Sequence, residues 1–253
     1  MSVAIAVAAS PLVGFLLARA DDALILGHRL SEWVGHAPIL EEELALANMG
    51  LDLIGQARAL YAMASEAEES GHGEDDYAYR RDEAQFRNLL LAERPRGDFA
   101  DTMVRQALYA IYAEAFWAAA RHSTHAELAA LAAKATKEMA YHVRHAGAWV
   151  VRLGDGTAES HARAQAAVDR IAPYLDEMFD PEDRALAGVA PDVPALRPAW
   201  DDAVARLLGK ATLALPEVRY PQRGGRAGRH AEALGHLLAN FQSLHRSFPG
   251  VTW

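Results

Sequence analysis

The chain contains no cysteine. This absence excludes a disulfide framework, a thiolate-bound zinc or iron–sulfur site, and a cysteine nucleophile. Basic residues are in the minority, because 25 Lys and Arg stand against 34 Asp and Glu and give a net charge of -9. A general nucleic-acid or anionic-membrane surface needs the opposite sign. We therefore expect no nucleic-acid or membrane partner, and any metal would need His and carboxylate ligands.

Strand patterns and long uncharged runs are also lacking. No run of alternating β-branched residues bounded by turns is present. Charged residues make up 23% of the chain and are spread too evenly for a membrane bundle, while 51% apolar residues suffice for a core. The apolar first residues lack a positively charged start and contain Pro11, so they do not fit a secretory signal. We expect a soluble, cytoplasmic, all-α protein.

Helical periodicity predicts a loose N-terminal arm over residues 1–10 and one helical domain over residues 11–253. Within that domain helices are predicted at residues 11–34, 40–69, 81–93, 98–122, 125–153, 158–179, 199–213 and 230–247. Surface or irregular segments are predicted at residues 71–79, 181–198 and 220–229. Several of these helices are long enough to run the height of a bundle. The predicted architecture is a long antiparallel helix bundle with additional C-terminal helices.

Long antiparallel helices without cysteine raise the possibility of a carboxylate-bridged metal pair. In such bundles two helices each supply a Glu, and two others each supply Glu-x-x-His. Here Glu138 is followed three residues later by Tyr141, and His142 arrives one position late. The matching place on the second long helix offers Asp52 followed by a glycine, which cannot ligate, and then by Gln56, whose amide is a poor iron ligand. The pattern is half present and both histidine positions are lost.

Three interpretations of these residues stay open. The favoured one is a buried polar network or a set of surface ion pairs, in which Asp52, Gln56, Glu138 and His142 satisfy one another. The second is a self-sufficient di-metal carboxylate oxidase that uses Glu138, His142, Asp52 and Glu114. The third is a pure scaffold or storage module.

An Arg/Gly-rich segment at residues 219–229 is the other candidate site. Its arginines, Arg223, Arg226 and Arg229, could bind phosphate or a carboxylate-rich partner through guanidinium forks and backbone amides. Arginines in a glycine loop are more often solvated or pinned to a neighbouring helix end, and that interpretation is favoured.

Several motifs resemble one bacterial family, the structural C subunits of phenylacetyl-CoA 1,2-epoxidases. The similarity runs from about Leu16 to Trp253, and the motifs that carry it are Ala23–Pro38, Leu44–Arg58, Arg81–Leu91, Phe99–Asp101, Lys137–Arg144 and Gly224–Trp253. Two departures stand out. His28 occupies a position where glutamine is usual, and the tail motif reads His-Ala-Glu-Ala-Leu-Gly from His230, where the family has Thr and His in place of the two alanines.

The resemblance implies a ferritin-like bundle inside a multicomponent monooxygenase. It implies a catalytic A subunit that holds the di-iron centre, a small B subunit, and a reductase that carries FAD, an iron–sulfur cluster and NADPH. The C subunit itself is expected to hold no cofactor and no catalytic residue, and to pair with the A subunit. Without its partner we expect it to form a homodimer, because an uncovered apolar face is costly.

Overall fold

The computed structural model describes residues 4–7, 9–248 and 251. Nine α-helices account for most of this part, and no β-strand occurs in it beyond an isolated bridge between Ala187 and Ala190. The helices are α1 (Pro11–Ser31), α2 (Leu40–Glu68), α3 (Glu74–Tyr79), α4 (Leu90–Glu93), α5 (Phe99–Ala120), α6 (Ala126–Gly154), α7 (Ala158–Ile171), α8 (Arg197–Lys210) and α9 (Glu232–Ser247). The predicted all-α class is confirmed. No helix in the described ranges is long and apolar enough to cross a membrane.

Helices α1 and α2 form an antiparallel pair that packs closely. Tyr61 near the end of α2 reaches Asp21, and Gly50 earlier on α2 lies against Gly27 further along α1. A Cβ on Gly27 would lie 3.1 Å from the carbonyl oxygen of Gly50. The two glycines therefore allow the helix backbones to approach each other.

Helices α5 and α6 complete a four-helix bundle. Phe99 at the start of α5 packs edge-on against Trp149 near the end of α6, so these two helices are antiparallel. Helix α5 is also antiparallel to α1, because the Trp33 indole just beyond α1 donates to Thr102 near the start of α5, while Arg19 donates to Tyr112 further along. Both neighbours of α1 thus run opposite to it.

It follows that α2 and α5, both antiparallel to α1, run parallel to each other. The connection between them, residues 69–98, must therefore travel the length of the bundle. One long crossover of this kind is consistent with a ferritin-like bundle. Helices α7, α8 and α9 pack outside the four long helices, as the predicted additional C-terminal helices.

Local signals explain where several helices begin. Asp98 caps α5, because its carboxylate accepts from the backbone N–H of Asp101 at 2.9 Å. Thr157 caps α7 in the same way, accepting from the N–H of Ser160 at 3.1 Å. Each cap satisfies an N–H group that has no partner within the helix. The sequence predicts Asp98 or Asp101 as the first cap and Thr157 as the second, and the structure has Asp98 and Thr157.

The crossover departs from the sequence prediction at two places. The predicted surface loop at residues 71–79 contains the short helix α3, which buries Tyr77 completely. The predicted helix at 81–93 is wrong over most of its length, since it consists of one 3-10 turn at Glu83–Gln85 and the four-residue α4. Arg81 and Asn88, both fully buried, draw this segment into the interior.

Two further features differ from the sequence prediction. The helix predicted over 158–179 ends at Ile171 and continues as 3-10 turns, because Pro173 lacks the N–H that an α-helix needs. The N-terminal arm is anchored at Ile5, which is 6% exposed and pairs through its backbone with Arg80 and Gln85 of the crossover. Residues 1–3 and 8 of that predicted arm lie outside the described residues.

Candidate functional site

The junction of α2 and α6 brings together four of the five residues that the metal pattern singled out. Nε2 of His142 lies 3.2 Å from a carboxylate oxygen of Asp52, and the Gln56 amide donates to Glu138 at 2.9 Å. His142 is completely buried, whereas about a third of the Asp52 side chain is exposed. These contacts form a polar network between the two helices. This is the geometry expected from the first interpretation, in which the four side chains satisfy one another.

Both ring nitrogens of His142 have a polar neighbour. Nδ1 lies 3.0 Å from the Gln106 amide nitrogen on α5, and Nε2 faces the Asp52 carboxylate. Sequence reasoning missed Gln106. One feature of the sequence could have identified it: Gln106 is a polar residue on the face of α5 that otherwise buries Met103 and Ala110.

The Glu138 carboxylate is neutralised without a metal. Besides the Gln56 amide, it contacts Lys134 at 3.2 Å, one helical turn earlier on α6. The residue three positions after Glu138, where a metal-binding histidine would stand, is Tyr141, and its ring is 39% exposed and stacks on His145. The side chain therefore points away from the network.

The remaining candidate, Glu114, is not part of this network. It lies two turns beyond Gln106 on α5, is half-buried, and forms no hydrogen bond or ion pair with Asp52, Glu138 or His142. In the described ranges no group of three or more His, Asp or Glu side chains is arranged to hold a metal ion. The donor set does not fit a di-metal centre, because its members hydrogen-bond to amides and to each other. That the chain holds no metal stays a prediction.

A second polar cluster surrounds two adjacent acids in the middle of α1. Asp21 is fully buried and pairs with Arg81 of the crossover, whose Nη1 lies 3.0 Å from it. The Tyr61 hydroxyl donates to the same carboxylate at 2.6 Å. Burial, reinforced by the charge of Asp21, raises the pKa of Tyr61 well above its usual value. The phenol thus remains a neutral donor.

The neighbouring acid, Asp22, binds the Arg/Gly segment. Both terminal nitrogens of Arg226 donate to the Asp22 carboxylate, at 2.9 and 2.6 Å, and one of them also donates to the carbonyl oxygens of Ala18 and Arg87. The terminal nitrogens of Arg226 are therefore used inside the fold, which favours the interpretation of an arginine pinned to neighbouring elements. Arg223 pairs with Asp180, and Arg229 is exposed.

Two buried glutamates fix the rest of this segment. Glu177 accepts from the backbone N–H groups of Gly224 and Gly225 at 2.8 Å and, through its other oxygen, from Leu90. Glu93 lies 2.7 Å from Nδ1 of His230, whose side chain is buried together with it. The C-terminal segment is thus tied to the crossover by polar contacts that exclude water.

His230 is placed between two acceptors. Its Nε2 lies 3.0 Å from the carbonyl oxygen of Phe86, and Nδ1 faces the Glu93 carboxylate. Both ring nitrogens must donate, so the imidazolium form fits this site. Burial opposes the charge, but hydrogen bonds to Glu93 and Phe86 outweigh it and raise the pKa of His230 above its ordinary value.

His28, which occupies a position where glutamine is usual in the family, contacts a side chain of another helix. The His28 ring stacks on Phe241 of α9, with ring centres 4.4 Å apart. Burial lowers the pKa of His28, which favours the neutral ring in this stack. The residue therefore links α1 to the last helix through an aromatic contact.

Comparison with known proteins agrees with the motifs. The chain matches the family described as phenylacetic acid catabolic protein over residues 2–253. It is also 43% identical, over 247 residues, to the C subunit of the 1,2-phenylacetyl-CoA epoxidase of Escherichia coli (strain K12), a match that covers 96% of this chain and 99% of that relative. By both its sequence and this similarity, the chain belongs to the phenylacetic acid catabolic protein family.

Proposed function

We propose that this protein is the non-catalytic structural subunit of a phenylacetyl-CoA 1,2-epoxidase in aerobic phenylacetate catabolism. The observation that carries the proposal is the 43% identity, along almost the full length of both chains, to the C subunit of such an epoxidase. The protein acts in the cytoplasm as one component of a multisubunit oxygenase.

The polar network between α2 and α6 supports the non-catalytic part of this proposal. Its acids contact Lys134, the Gln56 amide and His142. No contact in the described residues favours the alternative of a self-sufficient di-metal oxidase. Chemistry on the substrate is therefore assigned to a partner.

An apolar stripe on α2 supports the need for a partner. Leu40, Leu44 and Leu51 are 67%, 57% and 65% exposed. Their spacing places them on one face of the helix. On α6, Tyr141 is another large exposed side chain, at 39%. A group of large exposed apolar side chains on one helix face indicates a surface that contacts another protein rather than one that stays exposed to solvent.

The proposed partners follow from this assignment. A catalytic A subunit with a di-iron centre covers the α2 stripe, and a small B subunit joins the larger complex. Electrons come from NADPH through FAD and an iron–sulfur cluster in the reductase. In the absence of the A subunit, two copies of this chain pair through the same stripe as a homodimer.

The proposal is tested by copurification with a tagged di-iron A subunit from the same organism. Wild-type protein is expected to be retained and to support epoxidation of phenylacetyl-CoA in the presence of the reductase. The variant L44D/L51D is expected to bind at least tenfold more weakly, because two charges would be buried at the contact. Leu215→Asp, which places a charge at another exposed leucine outside α2, is the matched control.

Three results would contradict the proposal. They are failure of the wild-type chain to bind the A subunit, epoxidation by this chain and the reductase without the A subunit, and equal loss of binding in the α2 variant and the Leu215 control. Sedimentation of the isolated chain tests the homodimer, which L44D/L51D is expected to dissociate.

A further inference from the structure

A cavity unrelated to the α2–α6 network lies where the segment after α4 meets α5 and α7. It has a volume of about 210 Å³, and its lining includes Arg94, Gly97, Asp101, Arg105, Ala167 and Arg170. On the same measure one water molecule needs only ~10–15 Å³, so a small solute fits. Three arginines and one aspartate give this cavity a positive lining.

Arg105 is the unusual member of this set. The residue is 2% exposed, and one terminal nitrogen, Nη1, donates to the backbone carbonyl oxygens of Arg94 and Pro95. Its Nε and Nη2 have no hydrogen-bond partner in the described structure. These two nitrogens form one edge of the guanidinium, and that edge pairs side-on with a carboxylate or phosphate.

Among the described residues, no carboxylate serves this free edge. The nearest acids are Glu32 and Asp101, and each is paired with another arginine. Glu32 accepts from Arg29 at 2.6 Å, and Asp101 accepts from both Nε and Nη2 of Arg170, at 2.9 and 2.7 Å. Arg105 thus carries a buried charge without an aligned counter-charge.

This arrangement costs stability in the absence of an added anion. Burial, together with the nearby charge of Arg29, lowers the pKa of Arg105 to about 10. The side chain still carries its charge at neutral pH. A buried charge without a partner is strongly unfavourable, and an anion that enters the cavity would relieve that cost.

We propose that this cavity binds an oxyanion, a phosphate or carboxylate group, through the free Nε–Nη2 edge of Arg105. Arg105 itself is one of the residues that line the cavity. Arg94 supplies a second positive charge in the lining. Its guanidinium lies 4.8 Å from the centre of the Tyr174 ring and forms no ion pair in the described residues. Asp101 is neutralised by Arg170 and does not oppose the anion.

The test is calorimetry and thermal unfolding of the full chain with sodium phosphate and, separately, sodium acetate. Sodium chloride at equal ionic strength is the baseline. We expect at least one oxyanion to bind and to raise the melting temperature beyond the chloride effect. Tighter binding of phosphate identifies a phosphoryl ligand, and tighter binding of acetate identifies a carboxylate.

Variants assign the binding to this cavity. Arg105→Met is expected to lower the affinity at least tenfold, and Arg94→Gln, which leaves the buried residue intact, about threefold. Arg144→Gln, on the exposed side of α6, serves as the control and is expected to bind like wild type. Oxyanion effects no larger than that of chloride, or unchanged affinity in both cavity variants, would overturn the proposal. Its outcome is independent of binding to the A subunit.

Discussion

Asp22 and Arg226 form a two-point ion pair across 204 residues of chain, with N–O distances of 2.9 and 2.6 Å. The Asp22 side chain is 2% exposed, and it also accepts from the backbone N–H of Leu89 at 2.7 Å. One carboxylate therefore joins three parts of the chain: the first bundle helix, the crossover and the C-terminal segment.

Replacing Arg226 is expected to destabilise the protein strongly. Arg226→Met leaves the buried Asp22 without its main counter-charge, and removing one partner of a buried pair costs about 3 kcal/mol or more. Urea unfolding measures the change. Arg223→Met is the matched control, since the Arg223–Asp180 pair is largely exposed and such pairs contribute less than ~1 kcal/mol. Similar losses of unfolding free energy in the two variants would show that the Arg226 contact stabilises the fold no more than a surface ion pair does.

The close approach of Gly225 to the crossover gives a second prediction. A Cβ at this position would lie 2.1 Å from the carbonyl oxygen of Asn88, so Gly225→Ala must displace backbone. We expect a loss of about 1–3 kcal/mol in the free energy of unfolding. The control is Gly55→Ala on α2, where a Cβ meets nothing within 4 Å and a gain of about 0.5–1 kcal/mol is expected. A neutral Gly225→Ala would contradict the packing described above.

His230 predicts a dependence of stability on pH. Its pKa is raised in the folded state, so its contribution is fully present below the unfolded value of about 6.5 and is lost as pH rises through the folded pKa. The free energy of unfolding, measured by urea titration at a series of pH values upward from about 6, is expected to fall over this window. His230→Gln, which does not titrate, should remove this part of the slope. An unchanged slope in the variant would assign the pH dependence to other groups.

Addition of metal ions distinguishes between two hypotheses for the residues around Glu138, a polar network and a metal centre. We expect ferrous iron or Mn²⁺ to produce no saturable increase in melting temperature that depends on Glu138. The comparison is between wild type and Glu138→Gln, which keeps a side chain of similar size beside Gln56 and Lys134. Stoichiometric metal in the wild-type protein that is lost in Glu138→Gln would restore the di-metal oxidase hypothesis.

Local sequence signals predicted most of the bundle but not its interior ion pairs. The caps at Asp98 and Thr157 and the long amphipathic helices can be predicted because each depends on residues that lie only a few positions apart in the sequence. The partners of Asp21 and Asp22 do not, because Arg81 and Arg226 are 60 and 204 residues away in the chain. The same long-range ion pairs hold the crossover in the interior of the protein. They take the place of the helix predicted at residues 81–93.

The candidate site was predicted in part for a related reason. Asp52, Gln56, Glu138 and His142 could be placed together because each pair shares a helix face and the two helices were expected to pack. Glu114 was grouped with them through the metal template, which this chain does not follow. Gln106 was missed because its role depends on α5 reaching the buried His142 ring, a contact that no spacing rule on one helix specifies.

The Asp22–Arg226 pair also constrains the order of events during synthesis. At about 5–20 residues per second, Arg226 leaves the ribosome roughly 10 to 40 s after Asp22. During that interval α1 and α2 can form, but the acid in the centre of α1 has not yet met the guanidinium that allows its burial. The last tenth or so of the chain therefore completes the core that the first helix begins, and translation must pass residue 226 before the native bundle can close.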